Sequence, residues 1–134
     1  MDAAFSTEVD VRYRDLDAAG HVNNAVYATY VEQARVAYFD RVVGTTLGTG
    51  DAALASLSLT FERPVCDPRG TVTVTARTTD VGETSVDQRH RLLCAGERVA
   101  TAEATTVTLD AAGEPRPVPD GWRAAIREFE TDPV

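Results

Sequence analysis

Residues 13 to 35 read Tyr13-Arg-Asp-Leu-Asp-Ala-Ala-Gly-His-Val-Asn-Asn-Ala-Val-Tyr-Ala-Thr-Tyr-Val-Glu-Gln-Ala-Arg35 and join a strand pattern to a helix pattern. Within ten residues this segment holds two carboxylates, a histidine and two asparagines: Asp15, Asp17, His21, Asn23 and Asn24. The start of a helix offers free backbone N–H groups and a partial positive charge. Attack on a carbonyl group needs at least an acid or base and N–H donors that stabilise the charge on the carbonyl oxygen. The segment therefore indicates a loop that carries chemistry.

The elements on either side of this loop follow from hydrophobic periodicity. The preceding segment alternates with a period of two, which predicts a half-buried strand. The residues on its apolar face are Phe5, Thr7, Val9, Val11 and Tyr13. After the loop, apolar residues recur every three or four positions and predict a helix from about Asn24 to Val43. Asn24 is the expected N-cap and Gly44 the expected stop.

The chain beyond the Gly- and Thr-rich loop at 44–50 reads as strands. Alternating residues and turn signals predict strands near 57–61, 71–77, 86–94 and 99–109. A proline-stiffened linker then leads to a short amphipathic helix from Gly121 to Glu130, capped by Asp120. The element order β-α-β-β-β-β predicts an α+β fold with a five-stranded, mostly antiparallel sheet, one long helix and a short C-terminal helix.

Length and composition limit the class of protein. The chain of 134 residues is long enough for one domain with a real core, so we expect a single domain over residues 1–134. It contains no run of about 18 apolar residues, and its first residues carry no basic, apolar pattern typical of a signal peptide. We therefore expect a cytoplasmic protein with no membrane partner.

The charge balance is acidic. The net charge of −8 argues against a nucleic-acid partner, because phosphate backbones are bound by basic surfaces. All 13 basic residues are arginine, with no lysine. An acidic chain without lysine and rich in Thr and Ala resembles halophilic proteins, although a GC-rich genome also replaces Lys by Arg. We expect a halophilic host.

The two cysteines do not predict a metal or redox site. Cys66 and Cys94 lie 28 positions apart, no CxxC is present, and the chain has only two histidines. A zinc site needs four clustered ligands, or three and a water. We expect no metal and no cofactor-binding motif, and two reduced cysteines that serve as small apolar fillers.

The element order and the motif Asp15-x-Asp17-x-x-Gly20-His21-Val22-Asn23-Asn24 resemble the hotdog-fold acyl-CoA thioesterases, in particular the 4-hydroxybenzoyl-CoA thioesterase-like family. The resemblance implies a single hotdog domain, in which the sheet wraps around the long central helix. It also implies hydrolysis of an acyl-CoA thioester to free acid and coenzyme A, with coenzyme A present only as part of the substrate. Family members pair through their sheets, so the resemblance implies a homodimer or homotetramer with active sites at the subunit interface.

The resemblance also assigns roles within the loop. Asp17 matches the nucleophile or general base, and the backbone amide of Asn24 matches the group that polarises the thioester carbonyl. His21 and Asn23 match residues that orient the loop or a water. One branch of the family has a catalytic asparagine where this chain has Ala19. Asp17 is therefore left as the main catalytic candidate of the loop. Relatives that use a helix glutamate make Glu32 a second candidate for the base.

Structural interpretations stay open beside these roles. Asp17 could be only a turn residue, Asp15 could hold the loop through backbone N–H groups, and Asn23 could stabilise a turn. His21 could orient the loop or touch substrate. Glu32 could pair with Arg35 three positions later on the helix. We expect the helix tyrosines to lie in the core or at a subunit interface: Tyr27, Tyr30 and Tyr38.

The arginines raise a separate question, because an acidic protein needs local cations to bind the phosphates of coenzyme A. The candidates are Arg63, Arg69, Arg89, His90 and Arg91. Strand arginines on an acidic surface are equally often paired with carboxylates, so both interpretations stay open.

Two other functions compete with thioester hydrolysis. A hotdog enoyl-CoA hydratase or dehydratase also pairs an Asp with a downstream His, but the spacing of four from Asp17 to His21 is one short of the usual hydratase pattern. A non-catalytic module that binds acyl-CoA is the other alternative. The acyl group itself is not readable, because its pocket depends on residues 57–61, the 44–54 loop and the partner subunit.

Overall fold

The sheet and its two helices are seen in a computed structural model that describes residues 5–47, 50–65 and 70–130. The strands are β1 (Phe5–Asp10), β2 (Ala52–Phe61), β3 (Thr71–Val81), β4 (Ser85–Cys94) and β5 (Glu97–Thr108). The helices are α1 (Asn24–Tyr38), which continues as a π-helical turn (Phe39–Val43), and α2 (Asp120–Phe129). The predicted element order and α+β class are confirmed.

The five strands form one sheet in the order β1-β3-β4-β5-β2, and every neighbouring pair is antiparallel. Residues that alternate along β3 and β4 are buried, as expected for a sheet covered on one face. The long helix α1 packs on that inner face against β1, β2 and β3. This sheet wrapped around a central helix is a hotdog domain, as the sequence predicted.

Helix α1 has the predicted extent but a different N-cap. Asn23, not Asn24, has extended backbone, and its side chain accepts a hydrogen bond from the N–H of Ala25. Asn24 is the first helical residue, so its N–H is one of the donors that a helix leaves without an internal acceptor. Gly44 ends the helical segment with a φ of 83°, and its N–H donates to the Phe39 carbonyl.

The first strand is shorter than predicted, and Tyr13 does not lie on its buried face. The chain turns into a 3-10 helix over Tyr13–Asp15, because the Asp15 carboxylate accepts a hydrogen bond from the Arg12 N–H at 2.8 Å. Tyr13 is consequently 83% exposed. A local side-chain bond thus overrides the period-two pattern.

The core has two parts that share α1. One surrounds Tyr27, Tyr30 and Val31 and continues into β3, β4 and β5. The other surrounds Tyr38 and Phe39 and is closed by α2, whose Trp122 ring lies 5.5 Å from the Phe39 ring. The three helix tyrosines are buried within the chain.

Helix α2 begins at Asp120 with Pro119 as its N-cap, so the expectation that Asp120 is the cap was wrong. Glu130, directly after the helix, is buried and accepts hydrogen bonds from the Tyr38 hydroxyl at 2.5 Å and the Thr78 N–H at 3.0 Å. No helix among the described residues is both long enough and apolar enough to cross a bilayer.

Candidate active site

The loop that contains Asp17 is a tight turn held by its own carboxylate. The Asp17 N–H donates to the His21 carbonyl at 2.7 Å, and the Gly20 N–H donates to the Asp17 carbonyl at 3.0 Å. Oδ1 of Asp17 accepts from the N–H groups of Ala19 at 2.9 Å and His21 at 3.1 Å. Gly20 has a φ of 81°, a left-handed conformation that suits glycine. One carboxylate oxygen is therefore fixed, while Oδ2 accepts no hydrogen bond from the described residues.

Asn24 presents its backbone amide next to this turn. Asn23 caps the helix with its side chain, and its own N–H donates to the Asp15 carbonyl at 2.8 Å. No acceptor for the Asn24 N–H lies within the described ranges. A first-turn N–H at the positive end of a 15-residue helix is well suited to bind a developing negative charge.

Asp17, His21 and Asn24 line one open depression with a volume of about 390 Å³. The structure thus brings the three predicted site residues together. The rest of the lining comes from Val22, Tyr27, Phe61, Glu62, Arg63 and Pro64. All three predicted residues are exposed in the single chain, so the depression is accessible to a substrate.

The residues that close the depression from the end of β2 were only partly predicted: residues 57–61, which include Phe61, were expected to shape the acyl pocket, whereas Tyr27 and Arg63 were missed as residues of this depression. The Phe61 ring stands edge-on to the Tyr27 ring with centroids 5.0 Å apart, and the Tyr27 hydroxyl donates to the Arg63 carbonyl at 3.3 Å. Arg63 was considered only for phosphate binding, and Tyr27 only for the core or an interface. Their approach to Asp17 depends on the sheet packing around α1, which no local pattern reveals.

Asp15 connects the turn to the body of α1. Its Oδ2 accepts hydrogen bonds from the Tyr30 hydroxyl at 2.7 Å and from the Arg12 N–H. Burial and the hydrogen bond to Asp15 raise the pKa of Tyr30, so its hydroxyl stays protonated and remains the donor. Because the Asp15 carbonyl also binds the Asn23 N–H, this residue fixes the helix start relative to the loop.

Glu32 lies away from this depression in the chain. Its carboxylate pairs with Arg35 at 2.8 Å, and the buried Arg35 also donates to the Thr106 hydroxyl at 2.8 Å. Glu32 instead lines a second depression between α1 and β1, together with Val36 and Asp40. The geometry within one chain therefore matches the ion-pair interpretation of Glu32.

The candidate phosphate ligands separate onto different surfaces. Arg89 and Arg91 lie on the exposed outer face of β4, whereas His90 points into the core with 0% exposure. Its Nδ1 lies 3.1 Å from the Thr75 carbonyl, and burial lowers the pKa of His90 to about 4. His90 therefore cannot contact an external anion, which corrects that candidate. Arg69 lies outside the described residues.

The described residues hold no cluster of three or more His, Cys, Asp or Glu side chains that suits a metal ion. Cys94 is half-buried and packs against the core around Tyr27, as expected for an apolar filler. Cys66 lies outside the described residues.

A hotdog domain with a polar depression at the start of its central helix defines the class of this protein. Residues 11–126 match the model of the thioesterase-like superfamily, and the chain belongs to that family. It is accordingly a thioesterase, an enzyme of thioester hydrolysis.

Solved structures agree with this assignment. A thioesterase from Thermus thermophilus, crystallised with coenzyme A and Zn, is 37% identical, with 96% of each chain covered and a TM-score of 0.88. The PA2801 protein from Pseudomonas aeruginosa is 30% identical over 93% of this chain and 99% of that chain, with a TM-score of 0.82. A 1,4-dihydroxy-2-naphthoyl-CoA thioesterase from Synechocystis, Slr0204, is 20% identical over 93% and 96%, with a TM-score of 0.83, and shares the fold.

Proposed function

We propose that the protein hydrolyses an acyl-CoA thioester, with Asp17 as general base or nucleophile and the Asn24 amide as the group that polarises the carbonyl. The observation that supports this most strongly is the shared depression lined by Asp17, His21 and Asn24. A coenzyme A-bound thioesterase at 37% identity supports the choice of substrate class.

The reaction needs few groups. A thioester is a reactive acyl donor with a good leaving group, so a Ser-His-Asp triad is not obligatory. As a general base, Asp17 removes a proton from a water that attacks the carbonyl carbon, and the proton then passes to the departing coenzyme A thiolate. As a nucleophile, its carboxylate oxygen attacks the carbonyl carbon and expels the thiolate, which takes a proton from solvent; water then hydrolyses the acyl-Asp17 anhydride to the free acid and restores the carboxylate. The carbonyl oxygen gains negative charge and accepts a hydrogen bond from the Asn24 N–H at the helix start.

The turn geometry favours an oriented base. Two N–H groups fix Oδ1 of Asp17, so the carboxylate loses little further freedom when a substrate binds. His21 donates to that oxygen through its backbone, and its imidazole remains available to the depression. We assign His21 to water or substrate positioning.

A thiol-release assay over a panel of short, branched and aromatic acyl-CoA esters tests this proposal. We expect release of free coenzyme A by the wild type and a loss of about 10²–10⁴-fold in kcat for Asp17→Ala. Full activity in Asp17→Ala would overturn the role of Asp17. Crotonyl-CoA, followed for hydration as well as thiol release, separates a hydratase. Tight acyl-CoA binding without turnover would indicate the non-catalytic module.

We further propose that two chains pair through β2. This edge strand runs for ten residues without a charged side chain and exposes Leu54 and Phe61. The opposite edge, β1, carries Glu8 and Asp10. Charges protect a free edge, so the uncharged β2 is the edge suited to strand pairing. Phe61 also lines the depression, so a partner on β2 would lie close to the site.

Light scattering coupled to gel filtration tests this pairing. We expect a homodimer or homotetramer for the wild type and dissociation for Leu54→Lys, since an edge charge opposes pairing. Ser6→Lys, an exposed position on β1, serves as the matched control and should keep the assembly. An oligomer that survives Leu54→Lys but not Ser6→Lys would contradict the proposal.

A further inference from the structure

Two side chains that are neighbours on the inner face of β4 carry polar atoms that are buried and unpaired. Gln88 is 2% exposed and His90 is 0% exposed. Gln88 Oε1 and His90 Nε2 have no hydrogen-bond partner among the described residues. In the great majority of cases, buried polar atoms are paired with protein groups or with ordered water. These two atoms therefore point to a bound molecule.

The hydrogen bonds that these side chains already make leave both unpaired atoms as acceptors. His90 Nδ1 lies 3.1 Å from the Thr75 carbonyl, which can only accept, so Nδ1 carries the hydrogen of the neutral ring and Nε2 has a lone pair. Gln88 Nε2 donates to the Thr78 hydroxyl at 3.3 Å, and the amide oxygen is left to accept. Two acceptors cannot bond to each other, whereas a molecule with two donor hydrogens can bond to both.

The residues around the two side chains are small. In the register between β4 and β5, Ala104 lies opposite Gln88 and Ala102 lies opposite His90. Both alanines are buried, and Ala34 of α1 is buried in the same core cluster as Ala102. Alanine side chains beside the longer glutamine and histidine leave room between the sheet and the helix. A buried polar site with several hydrogen-bonding partners suits a water molecule.

Arg35 supplies a donor from α1. This buried guanidinium donates from Nη1 to the Thr106 hydroxyl at 2.8 Å, and Nη1 carries a second hydrogen. Burial lowers the pKa of His90 most, and the positive charge of Arg35 lowers it further, so the two groups are within electrostatic reach of each other. Water combines two donor hydrogens with an oxygen that accepts from such a cation.

We propose that an ordered water is bound between β4 and α1, where it donates to His90 Nε2 and Gln88 Oε1 and accepts from Arg35 Nη1. The site lies where the two parts of the core meet, because the next inner residues of β4 are Val86 in one part and Leu92 in the other. The water thus joins the long helix to the middle of the sheet. It takes no part in the proposed hydrolysis and is tested without substrate.

A high-resolution crystal structure of the full chain tests the site directly. We expect an ordered water at about 2.7–3.2 Å from both His90 Nε2 and Gln88 Oε1. A Gln88 amide turned to donate directly to His90 Nε2 would overturn the proposal, because the ring nitrogen would then be satisfied without water. Electron density that shows no water beside these two atoms would overturn it as well.

Oxygen-17 magnetic relaxation dispersion tests the site in solution, since it counts waters that stay bound longer than the protein takes to tumble. A water in contact with fully buried groups exchanges slowly, so we expect the double variant Gln88→Leu/His90→Leu to lose one long-lived water per chain relative to the wild type. Gln33→Leu, at an exposed glutamine of α1, is the matched control and should keep the count. An unchanged count in the double variant would overturn the proposal. If that variant does not fold, the crystal structure of the wild type decides.

Discussion

Two turns in this chain have nearly the same sequence and the same geometry. Leu16 to Val22 reads Leu-Asp-Ala-Ala-Gly-His-Val, and Leu109 to Pro115 reads Leu-Asp-Ala-Ala-Gly-Glu-Pro. In the second turn, Oδ1 of Asp110 accepts from the N–H groups of Ala112 and Glu114, both at 2.9 Å. Gly113 has a φ of 81°, the same value as Gly20. Each turn is also closed by an isolated bridge between its first and last residues.

The two turns differ in what surrounds them. The first stands at the positive end of α1 and lines a depression with Tyr27 and Phe61. The second follows β5, and its residues 110–114 are all exposed. The shared geometry shows that the Asp-Ala-Ala-Gly sequence builds a carboxylate-capped turn in both places. In the first turn this oriented carboxylate lies beside the start of α1 and in a depression, and our proposed role for Asp17 depends on that difference.

The sharpest test compares the same substitution in both turns. We expect Asp17→Ala and Asp110→Ala to lower the free energy of unfolding by a similar amount, about 1 kcal/mol, because each loses an acceptor for two backbone N–H groups. Thiol release should fall about 10²–10⁴-fold only for Asp17→Ala. Comparable activity in the two variants would remove the functional distinction between the turns.

We expect the stability of the fold to fall in acid mainly because of His90, which lies on β4 and belongs to neither turn. His90 is buried, and its folded-state pKa of about 4 lies below the ordinary value of 6.5. The unfolded state therefore binds a proton first, and the stability from neutral His90 is present above pH 6.5 and lost as the pH falls toward 4. The expected loss by pH 4.5 is about 2–3 kcal/mol.

Urea unfolding at about pH 7 and about pH 4.5 measures this loss. His90→Gln should show a smaller drop between the two pH values than the wild type. His21→Gln, at the exposed histidine of the first turn, should drop as much as the wild type does. A reduced drop in His21→Gln instead would place the titrating group in the turn.

Only the first turn is tied to α1 through a tyrosine, and this contact offers a third test. We expect Tyr30→Phe to lower kcat about tenfold, because Asp15 loses a hydrogen bond that fixes Asn24 relative to the turn. Tyr38→Phe is the matched control, since it removes a buried hydroxyl bonded to Glu130. Both variants should lose about 1 kcal/mol of stability. Equal kcat values in the two variants would show that the Asp15 contact is only structural.

Between their bridge residues, the two turns differ at one position, which is His21 in the first turn and Glu114 in the second. We expect the smallest effect from exchanging these two residues. His21→Glu and Glu114→His should change stability by less than about 0.5 kcal/mol, because residue 21 holds its turn through backbone atoms. His21→Glu should lower kcat/KM several-fold, since a carboxylate there repels the developing oxyanion. Unchanged kcat/KM would remove His21 from the site.

The sequence predicts those parts of the fold that depend on contacts between residues close together in the chain. The extent of α1, the stop at Gly44 and the turn chemistry depend on neighbours within a few positions, and each left a periodic or compositional pattern. The same reasoning misplaced the cap by one residue, because Asn23 and Asn24 are chemically identical and only backbone geometry selects between them. Tyr13 was misplaced because a side-chain bond from Asp15 ended the strand early.

The sequence predicted the loop side of the site residue by residue, and its β2 side only as the range 57–61 that shapes the acyl pocket. Asp17, His21 and Asn24 lie within eight consecutive positions, so one motif contains them. Phe61 and Arg63 reach the same depression from the far edge of the sheet. Such contacts depend on strand order, which periodicity does not specify.

The bond from Glu130 to Tyr38 joins residues 92 positions apart. During synthesis, α1 leaves the ribosome long before Glu130 does. Until Glu130 is available, the Tyr38 hydroxyl can donate only to water or to a non-native acceptor. The core around Tyr38 can close only after α2 has been made and docked. Completion of folding is therefore delayed until late in translation, and a chain interrupted before residue 130 would be a substrate for chaperones and proteases.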